Sequence, residues 1–252
     1  MTRIVCICSG KGGAGKTFLT ANLGLALAEM GKDVIVVDAN LTTPNLGMHL
    51  GVPLYPKTLH DVIKGKARIH EAIYQHESGL KIIPGGISLK DLKGADPKEL
   101  SNTMIDLLGH SEIILIDAAA GLGREALAAM ESADELLLVT NPELTSVTDA
   151  LKAAKLAEQM GTRVRGVVIN RTKGKEHEMT KDQIKTMLDR IEIIGEVKEH
   201  EDVQKAIAKR SPIIHHKPSS STSDEIRAIA AVIAGERRSI RMPWYRRIFR
   251  LR

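Results

Sequence analysis

An eight-residue loop, residues 10–17, constrains this chain more than any other stretch. It reads Gly-Lys-Gly-Gly-Ala-Gly-Lys-Thr and fits the pattern G-x-x-x-x-G-K-[ST], whose backbone N–H groups wrap phosphate oxygens. Its flanks make the match specific. Before it, Ile4, Val5, Cys6, Ile7 and Cys8 form an apolar run rich in β-branched residues, which predicts a buried strand. After it, Leu19, Leu23, Leu27 and Met30 recur at helical spacing, and Gly31 supplies a stop. Strand, glycine loop and helix thus follow in the order a phosphate cradle needs. Gly10, Gly12, Gly13 and Gly15 leave no Cβ between backbone and ligand, and the helix start adds partial positive charge. Lys16 is expected to reach the β- and γ-phosphates and the Thr17 hydroxyl to ligate Mg²⁺.

The remaining composition suits such a fold. Of 252 residues 43% are apolar, yet only six are aromatic, so the core must be aliphatic, as parallel strands under helices require. No apolar run approaches the length of a membrane span. Two cysteines, Cys6 and Cys8, face the same way on one predicted strand and offer no disulfide framework. With strand residues starting almost at the first position, no signal peptide is expected, and the expected location is cytoplasmic.

Two further strands end in acids. Residues 33–38 (DVIVVD) place Asp38 where such strands deliver a carboxylate to a Mg²⁺ site, and residues 112–117 (EIILID) end in Asp117. Strands are also predicted over 80–84, 134–140, 163–170 and 191–197. Helices are predicted over 58–66, 67–74, 96–108 with Pro97 in its first turn, 144–160, and 223–234 with Thr222 and Glu225 as a capping box. This alternation predicts an α/β fold, a doubly wound and mainly parallel β-sheet flanked by helices, over residues 1–235.

Lys11 narrows the loop to K-G-G-x-G-K-T, which resembles the deviant Walker A loop of the MinD/ParA ATPases, a branch of the P-loop NTPases. The resemblance implies ATP and Mg²⁺ as cofactors and a nucleotide-sandwiched homodimer in which Lys11 reaches the partner's phosphates. It makes residues 10–18, from Gly10 through Ala14 to Phe18, a nucleotide-binding stretch, with Asn170 reading the adenine edge beside Arg171. Asp38 becomes a switch I residue near the metal, and Asp117 the Walker B acid that contacts Mg²⁺ through water. Where these proteins carry an aspartate that orients the attacking water, this chain has Asn40. An amide holds a water but cannot accept its proton, so slow turnover is expected, because phosphoryl transfer leans on positioning more than on base strength. Ala119 replaces the proline of D-x-P-A-G, and Phe18 a second hydroxyl residue. Residues 141–143 (NPE) and the helix after them match the segment near the dimer interface. Residues 199–202 and 210–212 match the adenine-flanking segments too loosely to assign contacts.

The last seventeen residues differ in character. Residues 236–252 carry seven arginines and one acid, a net +6, while residues 1–235 sum to −1. In helical projection Trp244, Tyr245, Ile248, Phe249 and Leu251 share one arc and Arg246, Arg247 and Arg250 the other, the pattern of a helix lying in an anionic membrane interface. A tail docked on the protein's own body, or binding nucleic acid, is the alternative. Ten residues are too few for a stable isolated helix, so two weak copies joined by a dimer would bind through avidity.

Cys6-x-Cys8 reads as core packing, the absence of Cys-x-x-Cys argues against an iron–sulfur carrier, and His215-His216 reads as an exposed pair without a third ligand. The expected function is a MinD-like ATPase switch, peripheral at the inner face of the membrane, with an activating or cargo protein as further partner. A ParA-like partition ATPase binding DNA, an organelle-placement ATPase and a weakly hydrolysing nucleotide-binding scaffold stand beside it.

Overall fold

The computed structural model describes residues 2–52 and 54–236. The tail residues Trp244, Tyr245, Ile248, Phe249 and Leu251 lie outside the described residues. In chain order the elements are β1 (Arg3–Cys8), α1 (Lys16–Glu29), β2 (Val34–Ala39), α2 (Leu46–His49), α3 (Leu59–Ile63), β3 (Tyr74–Gln75), β4 (Lys81–Ile83), α4 (Leu89–Leu92) and α5 (Leu100–Asp106). There follow β5 (Ile113–Ala118), α6 (Arg124–Glu131), β6 (Glu135–Thr140), α7 (Leu144–Gln159), β7 (Arg163–Thr172), α8 (Lys181–Leu188), β8 (Ile193–Lys198), α9 (Glu201–Ala208), α10 (Ile213–His216) and α11 (Ser221–Ala234).

The eight strands form one sheet in the order β3-β4-β2-β5-β1-β6-β7-β8, parallel except for the short antiparallel pair β3–β4. Strand alternation divides the core in two. Val5, Ile7, Val36, Leu115 and Leu137 point to the face covered by α1 and α11, while Ile4, Cys6, Cys8, Ile116 and Leu136 join the side chains of α5, α6 and α7. A sheet buried on both faces explains strands that are apolar throughout. Leu19, Leu23 and Leu27 of α1 are fully buried, and Gly31 takes a left-handed φ of 79° just past the helix end, as a C-terminal stop should. The doubly wound sheet agrees with the expected fold.

Register matters most where the acids lie. Asp38 pairs across β2–β5 with Asp117, and Asp117 pairs across β1–β5 with Ile7, two residues before Ser9. Both carboxylates and the glycine loop therefore emerge together at the carboxyl edge of the sheet, where open α/β folds bind ligands. A one-residue slip would turn the acids to the wrong face.

Several local expectations are corrected. The helix expected over 67–74 is a 3₁₀ turn at Ile69–Ala72 leading into β3, where Tyr74 pairs with Ile82. The single helix expected over 96–108 is split: Asp96 caps a 3₁₀ turn at Pro97–Glu99, and α5 starts only at Leu100. The capping box of Thr222 with Glu225 does not form. Ser220 accepts the Ser223 N–H instead, Thr222 is buried, and Glu225 accepts the Lys198 N–H. His215 and His216 are half-buried rather than exposed, with the His215 ring stacked on His76.

Candidate active site

The phosphate loop is shaped by close packing. Gly13 and Gly15 adopt φ of 80° and 94°, left-handed values open to glycine, and Gly15 is the N-cap of α1. Successive N–H groups in such a conformation make an anion-binding concavity. A Cβ on Gly10 would lie 2.4 Å from the Asp149 backbone of α7, and one on Gly15 would lie 2.2 Å from Asn170 Nδ2. Lys11, Gly12 and Gly13 are exposed while Ala14 is buried, so the loop offers its tip to a ligand and roots its end in the core.

Lys16 is buried at 8% exposure, and its Nζ donates to Ser9 Oγ at 3.0 Å. Burial lowers its pKa, opposed by the nearby Asp117 carboxylate. Asp38 and Asp117 are register partners on neighbouring strands, and the Thr17 hydroxyl bonds to Asp117. Asp38 accepts the Leu46 N–H at 2.9 Å and the Asn40 N–H at 3.3 Å. Burial beside Asp117 raises its pKa well above the carboxylate range. Burial also pushes Asp117 up to about 6, against hydrogen bonds from Thr17 and Thr20 and the charge of Lys16. One of its oxygens, Oδ1, lies 3.3 Å from the Thr20 hydroxyl, while Oδ2 is buried with no hydrogen-bond partner of good geometry among the described residues. Two desolvated acids and an orphaned oxygen above a phosphate cradle fit a hard divalent cation that takes oxygen ligands. Among the described residues no group of three or more His, Cys, Asp or Glu could hold a metal alone.

Asn40 stands at the tip of switch I, the segment after β2. Its Nδ2 donates to Thr43 O at 2.8 Å, and its Oδ1 accepts from Thr43 N and Thr43 Oγ1, each at 3.2 Å. The amide thus holds its own turn. Neighbouring Thr42 is bound from α6, its N–H donating to Glu125 Oε2 at 3.2 Å and its hydroxyl donating to Glu125 Oε1. Sequence reasoning missed Glu125, which reaches Thr42 from 83 residues away with no local mark. On the opposite side, Gly121 N–H donates to Ser9 O at 3.1 Å, so the segment after β5 that carries Ala119 is tied to the phosphate loop.

Asn170, buried, donates from Nδ2 to Ala14 O at 2.7 Å, bracing the phosphate loop and leaving its oxygen for another donor. Arg171, at a φ of 61°, sits at a bulge near the end of β7, after which Thr172 still pairs with Lys198 of β8. Asn170, Arg171, Gly15 and Phe18 line a narrow cavity of about 60 Å³ with Val197, His200, Val203 and Gln204. Residues 199–202 match an adenine-flanking segment only loosely and without assigned contacts; His200 lies in this lining, and so do Val203 and Gln204 of α9. Their signal was faint because His200 caps α9 through a ring nitrogen that accepts the Asp202 N–H at 3.1 Å, an unusual capping residue. Lys11 is exposed and lies 3.8 Å from Glu143, just before α7. Such a pair is weak enough to exchange. Cys6 and Cys8 are free thiols buried in the sheet, and burial pushes Cys8 up to about 12.

A glycine loop between a central strand and a helix, two strand-end acids at its mouth and an exposed lysine at the loop's start define a P-loop nucleotide-binding protein of the deviant Walker A type. Residues 5–213 match the CobQ/CobB/MinD/ParA nucleotide binding domain. An uncharacterised ATP-binding protein of Methanocaldococcus jannaschii is 40% identical over 235 residues, covering 93% of this chain and 89% of that protein. The septum site-determining protein MinD of Thermotoga maritima is 36% identical over 215 residues, covering 81% and 78%. The structure of the septum site-determining protein MinD of Pyrococcus horikoshii complexed with Mg-ADP superposes with a TM-score of 0.89 at 36% identity, covering 92% and 96%. The chain belongs to the MinD/ParA family of ATPases.

Proposed function

We propose that the chain is a MinD-like switch: it binds Mg-ATP, pairs with a second copy across the nucleotide, and attaches reversibly to a membrane to position a division or polar apparatus. The observation that carries the nucleotide part is the partnerless Asp117 Oδ2 beside Asp38 at the mouth of the phosphate loop. In this reading the loop N–H groups and Lys16 hold the β- and γ-phosphates. Thr17 and Asp38 hold the metal, and Asp117 contacts it through water. The ion would neutralise charge that develops between the phosphates. Asn40 positions the attacking water without taking its proton. Asn170 and Arg171, with Phe18, flank the base in the narrow cavity beyond Gly15. The exposed Lys11, loosely paired with Glu143, is free to reach a partner copy's phosphates.

Residues 1–235 form the ATPase domain and 236–252 an amphipathic anchor in this reading. Among the described residues no helix is long and apolar enough to cross a membrane, so attachment would rest on the tail's aromatic and arginine arcs. The test has two arms. Phosphate release with Mg-ATP should vanish in Lys16→Ala, and an equal rate in that variant overturns the enzymatic reading. Liposome co-sedimentation should rise with ATP over ADP and fall on deleting residues 239–252. Equal sedimentation in all three overturns the membrane reading, and salt-sensitive retention on DNA without lipid binding would replace it with a partition role.

A further inference from the structure

Helix α3 carries a histidine bonded to the segment after β2 and to the loop after β4. His60 is fully buried. Its ring is bonded at both nitrogens to backbone: Gly86 N–H donates to Nδ1 at 2.8 Å, and Nε2 lies 2.9 Å from Leu41 O. Because a backbone amide occupies Nδ1, the ring proton sits on Nε2 and is donated to Leu41 O. Burial lowers the ring's pKa and keeps it neutral among Asp61, Asp91 and Lys64. The ring itself is rigidly mounted. Thr58 and Asp61 form a capping box at the start of α3, and the Leu59 N–H donates to Pro84 O at 2.8 Å, tying α3 to the end of β4.

The two bonds join the chain segments on either side of Asp38. Leu41 directly follows Asn40 in switch I. Gly86 follows Gly85, where a Cβ would come within 2.4 Å of Pro44 and 3.5 Å of Asp38 Cγ. We propose that His60 is a positioning residue for the ATPase reaction: its imidazole hangs the Leu41 backbone from the loop after β4 and thereby fixes where Asn40 can place water. This deepens the ATPase reading and rests on it. The two ring bonds of His60 go to Leu41 O and Gly86 N–H, so loss of the ring should act on turnover and spare ATP binding. An Asx turn with Thr43 orients the Asn40 side chain; His60 and Glu125 hold that turn from other elements, beside the Asn40 N–H bond to Asp38.

Two variants separate the bonds. His60→Gln can place an amide N–H where Nε2 stands, keeping the donor to Leu41 O. His60→Asn can place an oxygen where Nδ1 stands, keeping the acceptor for Gly86. Each forfeits one buried hydrogen bond, so their melting temperatures should fall alike. At saturating Mg-ATP, kcat in His60→Asn should be at least about tenfold below that of His60→Gln, since small misplacements of reacting groups are costly. KM should stay within about twofold of wild type in both, as expected for a group that only positions. Amides of Thr42 and Thr43 should exchange with deuterium faster in His60→Asn than in His60→Gln, with Mg-ATP bound. Equal kcat in the two variants, or equal exchange, overturns the proposal. Wild-type protein that binds Mg-ATP yet releases no phosphate overturns the ATPase reading instead, and the exchange measurement still decides the role of His60.

Discussion

The phosphate loop and switch I are expected to face the same nucleotide, yet they are held in opposite ways. The loop is fixed by shape: α7 backbone fills the space a Gly10 side chain would need, and Asn170 does the same at Gly15. Switch I is exposed at Thr42 and Thr43 and hangs on side chains from elsewhere, Glu125 from α6 and His60 from α3, besides the internal turn of Asn40. Steric fit admits one arrangement. Exchangeable hydrogen bonds admit several, each separated by roughly 1 kcal/mol. On the proposed reading, binding would belong to the rigid half and the timing of hydrolysis to the adjustable one.

The sharpest way to break that division is Gly15→Ala. The new methyl meets Asn170 Nδ2 at 2.2 Å on a residue whose φ is 94°, two strains that cost on the order of 1–3 kcal/mol each. ATP affinity by equilibrium titration should fall roughly a hundredfold. Adding Asn170→Ala removes the clash but not the φ strain, so the double variant should recover part of the loss. Wild-type affinity in Gly15→Ala would show that the loop is not held by shape.

Next in size is the acid pair at the boundary between the halves. Asp117 is pushed up to about 6 by burial, from an ordinary value near 4. Between those values the folded state binds a proton that the unfolded chain releases, so stability falls as pH rises and the full penalty stands above pH 6. Without nucleotide, Asp117→Asn should match wild type near pH 4 and exceed it by about 2–3 kcal/mol at pH 8 in urea titrations. Mg-ADP should reverse the order by stabilising only the wild type. An Asp117→Asn protein less stable than wild type at pH 8 without ligand would mean the orphaned oxygen has a protein partner after all.

What was legible in the sequence follows the same line. Glycine, lysine and threonine in the phosphate loop act through backbone shape and local order, so their places could be read from spacing alone. The strand-end acids were legible because apolar runs end abruptly at Asp38 and near Asp117, and the sheet register then brought them together. Glu125 and His60 were not legible. Each reaches switch I from 83 and 19 residues away in sequence, and nothing local marks an ordinary glutamate or a core histidine as a clasp. Tertiary packing also overrode local preference at residues 67–74, where Tyr74 found a strand partner in Ile82. Helix α9 was missed for lack of a usual capping residue, and with it the wall of the cavity beyond Gly15.

Within switch I, Asn40→Asp asks whether the amide limits the rate. The aspartate loses the donor to Thr43 O and gains the ability to take a proton from water. Phosphate release should rise at least about tenfold, the low end of what a positioned base contributes. No rise would place the limiting step elsewhere, in release or in pairing of copies.

The smallest effect is expected at Glu125, and its size separates a clasp from a wall. Glutamine at that position keeps one oxygen for Thr42 where the carboxylate offers two, and it removes a charge from a site open to solvent. One bond of two is lost, and exposed bonds are replaced cheaply by water, so turnover should fall about twofold with ATP affinity unchanged. Combined with His60→Asn, the loss should exceed the product of the single effects, because in each single variant the other clasp still supports the turn. A tenfold loss in Glu125→Gln by itself would mean that switch I is held as stiffly as the phosphate loop, and that hydrolysis is set by its rigidity rather than by the exchange of its bonds.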